Sequence, residues 1–395
     1  MELKRLVGEI VPEVIELRRE IHRHPELGYE EHRTSALVAD KLASYGLNVR
    51  SGIAGTGVVA DLAGSRPGPH VLLRADMDAL PIQEETGLPF ASAVPGKMHA
   101  CGHDVHTAIL VGVAGVLCRW REQLSGRVRF VFQPAEECSP TGGAKLMVDQ
   151  GVLKDPPVDY ALALHVWPHL RVGEFGLRNG PVSAQSDRLF IKVKGKGGHA
   201  SAPHQGIDAV VAAAQVINAL QTVISRRVDP RDTVVLTIGK IRGGDRYNVI
   251  CDLVEMEGTA RILADGYEQR LPELVSEAAV NAARACGAEA ELEYVRGYPM
   301  TVNHPGLTEW ARRVILERFG EGAVREIQAD AGGEDFAHIA REVPSLYIKL
   351  GAASLDKGAQ VFPLHHSKLV IDEECIPLGI ELLCVLTFGL GQAQI

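Results

Sequence analysis

Short runs with strand character alternate with helical stretches through the first half of the chain, and this alternation limits the fold more than any other feature. Residues 58–62, 70–74, 128–132 and 160–166 are strand runs, and all but the second are rich in aromatic or β-branched side chains. Between them, residues 107–123 and 143–150 carry helical periodicity. Two amphipathic helices precede the series, at 11–24, ended by His24-Pro25, and at 29–45, closed by Gly46. Strands separated by helices pair mostly in parallel and are covered by helices. The reading is therefore an α/β domain with a mixed, mostly parallel, helix-covered sheet.

The texture changes near Ala184. Residues 188–194 alternate like a half-buried strand, 208–223 form an Ala- and Val-rich helix, and 233–238 and 253–262 are further strands. A long helix at 266–286 and a strand at 290–295 complete the series. Strand, helix, strand, strand, helix, strand is the order of a ferredoxin-like α+β unit. After Pro299 the α/β texture returns, with a helix at 306–319, a strand at 345–350 and a closing helix at 375–388. We expect a discontinuous catalytic domain, residues 1–183 and 299–395, interrupted by a lid and dimerisation domain at 184–298. Such an insertion needs only two neighbouring surface ends.

Charge and cysteine content narrow the functional classes. Lys plus Arg is 41 and Asp plus Glu is 50, a formal charge of −9, and no basic run tracks a phosphate backbone. Nucleic acid is not expected as a partner. The apolar stretch at 108–118 is too short to span a bilayer, and acidic residues interrupt the N-terminal segment, so neither a membrane nor a secretory signal is expected. The seven cysteines are odd in number and irregularly spaced, which argues for a reducing, cytoplasmic setting without a disulfide framework.

Polar residues collect where an α/β sheet places its ligands, beyond the carboxyl ends of strands. Arg74-Ala75-Asp76-Met77-Asp78 follows one strand, and Gln133-Pro134-Ala135-Glu136-Glu137 follows another. His165 ends a third. His99-Ala100-Cys101-Gly102-His103-Asp104-Val105-His106 opens a helix, and His365-His366 lies in the loop after Leu350. Cys101 and His103, two positions apart, would share one side of an extended segment. Cys, His and Glu bind Zn²⁺ and its first-row neighbours. A catalytic metal also needs a base for its water, and either Glu136 or Glu137 can supply one.

These segments resemble a family of dinuclear metal-dependent amidohydrolases that includes bacterial aminoacylases, hippurate hydrolases, thermostable carboxypeptidases and plant auxin-conjugate hydrolases. The likeness runs from ELRREIHRHPELGYEE through RADMDALPIQE, MHACGHDVHTA, FQPAEE, LHVWP, GKGGHASAPH, GTARIL and GGEDF to PLHH. It implies two divalent metals, Zn²⁺ first and Mn²⁺, Co²⁺ or Ni²⁺ otherwise, held by Cys101, His103, Glu137, His165 and His365, with the Cys101 thiolate bridging. By the same resemblance Glu136 is the general base, and His199 steadies the oxyanion in a partner subunit's site. Asn248 and Arg261 would hold the substrate carboxylate or the scissile carbonyl. Asp76, replacing nothing in the ligand set, is expected to orient a ligand histidine, and His106 to support the site. Substrates would be N-acyl-L-amino acids or short peptides, and the assembly a homodimer or a dimer of dimers.

Two other readings compete. A thiol hydrolase would use Cys101 as nucleophile with His103 or His106 as base, leaving Glu136, Glu137, His165 and His365 without a task. A non-catalytic relative would keep the fold as a binding module, and such proteins usually lose a ligand or the base.

Overall fold

In the computed structural model residues 2–353 and 360–391 are described. The chain forms two units: Met1–Val182, Thr301–Gln328 and Asp335–Ile395 make the first, Ser183–Met300 and Ala329–Glu334 the second. Ala184 N–H lies 3.1 and 3.0 Å from the Asp330 and Gly332 carbonyls, which ties the short return at 329–334 to the second unit. That return carries no periodic pattern.

Among the described residues, the first unit is built on an eight-stranded sheet. Its order is Asn48–Ile53, Gly57–Ala63, Ser125–Gln133, Arg66–Asp76, Tyr160–Arg171, Ser345–Ala353, Phe175–Leu177 and Val324–Glu326. The four central strands run parallel, and antiparallel pairs flank them. Ser345–Ala353 is buried at every position, as a strand covered on both faces must be. Helix His103–Arg119 is buried from His103 through Leu117, and helix Cys375–Leu390 is almost wholly apolar. The N-terminal helix begins at Glu2, well before the expected residue 11. Leu3, Leu6, Val7, Ile10, Val14, Leu17 and Ile21 form one buried stripe, with Pro12 on the exposed side. The three-residue strands Phe175–Leu177 and Val324–Glu326 are too short to show a period.

The second unit has a four-stranded antiparallel sheet in the order Val234–Gly243, Leu253–Ile262, Gln185–Lys194, Glu289–Val295. Helices Ala209–Arg227 and Tyr267–Ala285 pack on it through one core that includes Ala212, Val216, Leu220, Leu271 and Val275. This is the strand order of a ferredoxin-like fold. Helix Ala209–Arg227 is long and apolar enough to cross a membrane, a segment that a search for continuous apolar runs passes over. Its buried side belongs to the core of the unit, and Asp208 caps its start by accepting from the amides of Val210 and Val211.

Candidate metal centre

The sheet brings the carboxyl ends of three neighbouring parallel strands together. Asp76 pairs with Gln133, and Arg74 with Ala163, so Asp76 stands level with His165 on one side while the Pro134–Glu137 loop begins on the other. Helix His103–Arg119 starts beside them. Cys101 and His103 do not share an extended segment as the spacing suggested. Gly102 between them is left-handed, with φ 85°, at the N-terminus of the helix, and a Cβ there would lie 2.3 Å from Val166 Cγ2. A turn that only glycine fits therefore aims the two side chains at one place.

Donor atoms converge in groups whose members all lie within 4.8 Å of one another: Cys101, His103 and His165 form one, and Cys101, Glu137 and His365 another. Glu136 lies in a third, with His103 and Glu137. His103 Nδ1–H is held by the Asp78 carbonyl and Oδ1 at 2.9 and 3.1 Å, turning Nε2 inward, where it is buried without a hydrogen-bond partner among the described residues. His165 Nδ1–H donates to the Val166 carbonyl at 2.7 Å, leaving Nε2 3.4 Å from Cys101 Sγ. Glu137 Oε1 is 3.1 Å from His365 Nε2 without hydrogen-bond alignment. His103 Nε2 and Glu137 Oε1, buried and without hydrogen-bond partners among the described residues, form with Cys101 Sγ, His165 Nε2 and His365 a donor set for soft or borderline divalent cations. The residues present thus fit two such ions.

Without metal, the charges differ from residue to residue. Burial pushes the Cys101 thiol up, with His103 opposing. Cys101 and Glu137 beside its ring push His365 up to about 10. Burial lowers His103, but Asp76 and Cys101 outweigh it and leave the ring well above its usual value. Burial, then His106, holds His165 well below the ordinary range and therefore neutral, the form in which imidazole ligates.

The adjacent histidines are separated by the same geometry. His365 N–H donates to the Ala100 carbonyl at 2.7 Å and its ring faces Cys101 and Glu137, whereas His366 stacks on Phe362 at 4.5 Å. His106 also groups with Asp76 and His103, but its two nitrogens are engaged. Nε2 accepts Val166 N–H at 2.9 Å, and Nδ1–H donates to Asp76 Oδ1 at 2.6 Å. Asp76 was expected to orient a ligand histidine. Its oxygens accept from His106 and from Arg74, the latter at 2.6 Å, and Oδ2 lies 3.8 Å from His103 Nε2, while Asp78 contacts His103 Nδ1. In the second unit the strand pair Gly198–His199 and Val249–Ile250 brings His199 beside Asn248. His199 is exposed, with Ser201 Oγ 2.8 Å from its Nδ1. Arg261 donates through Nε to the Ala331 carbonyl at 2.9 Å.

The profile of Peptidase family M20/M25/M40 matches residues 72–387. The chain belongs to this family. It is 43% identical over 303 residues to an N-acyl-L-amino acid amidohydrolase of Geobacillus stearothermophilus, covering 77% of this chain and 81% of that one. Thermostable carboxypeptidase 1 of Saccharolobus solfataricus is 39% identical over 380 residues, covering 96% and 95%. Among solved structures, a dinuclear metal binding peptidase of the M20 family from Bacillus subtilis superposes with a TM-score of 0.86 at 34% identity, covering 98% of this chain and 100% of that one. Membership makes this M20 chain a metal-dependent hydrolase of amides or peptides. Asp78 and Glu31 are the polar residues that motif reading passed over. The only signal for them was position, one beside a strand end and one inside ELGYEE.

Proposed function

We propose that the chain hydrolyses the amide bond of N-acyl-L-amino acids or short peptides, releasing an amino acid with a free carboxylate. What supports this reading most is the membership of Cys101 in both donor groups, with His103 and His165 in one and with Glu137 and His365 in the other. One shared thiolate between two pairs of ligands suits a dinuclear centre, and thiolate with imidazole favours Zn²⁺, with Mn²⁺, Co²⁺ or Ni²⁺ as alternatives. When bound, such ions polarise the scissile carbonyl and bring the pKa of water toward neutrality. Glu136, 7% exposed, takes the proton of the attacking water and returns it to the leaving amine. His199, Asn248 and Arg261 hold the oxyanion and the substrate's carboxylate, a role carried by their motifs. A planar guanidinium and an amide suit a carboxylate.

Turnover of N-acetyl, N-benzoyl, indoleacetyl and dipeptide substrates, assayed with each metal in turn, identifies the acyl group and the ion. Chelation is expected to abolish activity, and Glu136→Gln to lower kcat about 1,000-fold with metal still bound. Near-normal turnover in that variant removes Glu136 from the role. The thiol-hydrolase reading requires activity indifferent to chelators, and it leaves Glu136, Glu137, His165 and His365 without a task. We also read the chain as a cytoplasmic homodimer. Val210, Val211, Ile241, Tyr247 and Val249 of the second unit are exposed, and Val234–Gly243 is an edge strand. Sedimentation at rising concentration tests the pairing.

A further inference from the structure

The ELGYEE motif has no task in the chemistry above, yet its last residue touches the loop that carries the base. We infer that Glu31 is a positioning residue for Glu136, a role that rests on Glu136 being the general base. Glu31 is fully buried. Its Oε1 accepts Ala135 N–H at 2.8 Å, and its Oε2 accepts Thr56 Oγ1–H at 2.5 Å. On the other side of Glu136, Glu137 N–H donates to Asp78 Oδ2 at 2.9 Å. The backbone amides before and after the base are thus each held by a carboxylate, and Glu136 is clamped between them.

The clamp holds a conformation the chain would not adopt by itself. Ala135 has φ 55°, the left-handed region that a residue with a Cβ disfavours. Residues 26–31 press on the loop from behind. A Cβ on Gly28 would lie 3.0 Å from Ala135 Cα and 2.4 Å from Cys138 Sγ. The same segment reaches the second carboxylate's strand end, where Ala79 N–H donates to the Glu26 carbonyl at 2.8 Å. One connector between two helices therefore sets both ends of the clamp. The two oxygens of Glu31 meet both donors, whereas glutamine retains one acceptor for Ala135 and offers Thr56 an amide that its hydroxyl can accept.

The test compares the metal-loaded wild type with Glu31→Ala and Glu31→Gln. In Glu31→Ala we expect kcat to fall about 10- to 100-fold, the effect of displacing a reacting group by an ångström or less, with KM within about threefold and bound metal unchanged. Glu31→Gln should recover most of that loss. Independently of turnover, native-state hydrogen exchange should show the Ala135 amide exposed at least about 100-fold faster in Glu31→Ala, while amides of strand Ser125–Gln133 keep their protection. Wild-type kcat in Glu31→Ala, or unchanged protection of Ala135, overturns the inference. If Glu31→Ala does not fold, Gly28→Ala presses on Ala135 with Glu31 intact and carries the test by the same two readouts and limits. Full turnover in Glu136→Gln would instead sink the assignment of the base, and the Ala135 exchange result would still decide what Glu31 holds.

Discussion

Asp78 does three jobs with one side chain and one carbonyl: it fixes the His103 ring by two contacts and holds the Glu137 amide. Groups that orient metal ligands are typically worth 10- to 100-fold in metal affinity. Asp78→Asn should weaken metal binding by about that factor while the metal-free protein unfolds near the wild-type temperature. Competition with a chromophoric chelator measures it, and unchanged affinity would mean the His103 ring is set by packing alone. Asp61 makes a separate prediction, away from the centre. Burial raises its carboxyl, but His70 3.8 Å away and the bonds from Arg129 outweigh burial and hold it at about 2. A folded pKa below the unfolded value near 4 contributes stability that is present above pH 4 and lost as pH falls toward 2. Urea unfolding between pH 5 and pH 2 should show this loss, and Asp61→Asn should remove the part due to this residue. An equally steep acid limb in the variant would assign the loss to other carboxylates.

Helices in the first unit meet at close range. Gly115 of His103–Arg119 faces the N-terminal helix, and a Cβ there would lie 2.2 Å from Ile10 Cδ1 and 3.0 Å from Tyr45. Gly115→Val should destabilise the fold by about 2 kcal/mol through overpacking, seen as a fall of several degrees in thermal denaturation. The same two helices are joined at their polar ends. Arg18 Nε and His22 Nδ1 both lie 2.8 Å from Asp104 Oδ2, in the first turn after His103. Arg18 also reaches Glu373 at 3.2 Å. In the second unit Asp208→Ala removes the cap of Ala209–Arg227 and should cost about 1 kcal/mol. Element positions such as this one were legible, because a capping residue followed by periodic apolar residues is a local signal. The true start of the first helix was not, since a proline is favoured in a helix's first turn, whereas this helix begins at Glu2 and runs through Pro12.

At the scale of the molecule, each unit has its own core. The second unit's sheet and helices lie almost entirely in one continuous stretch, Ser183–Met300. That stretch, expressed alone, should fold cooperatively, with far-ultraviolet circular dichroism of a mixed α/β protein and a sigmoidal urea transition. A disordered spectrum would show that its core needs the rest of the chain.

By itself the sequence determined the alternation that makes the central sheet parallel, the order of the second unit's elements and the residue types gathered at the strand ends. Each of these is local, because burial pattern and strand-end position follow from the period of a few neighbouring residues. Tertiary structure decided which of those residues meet. It turned Cys101 toward His103 through a left-handed glycine, set His365 beside Glu137 and His366 against Phe362, and put Asp78 on His103 Nδ1. It also brought Glu31 against Ala135, far away in the chain. These outcomes depend on strand register and loop dihedrals, which contacts distant in sequence set, so no local period can report them.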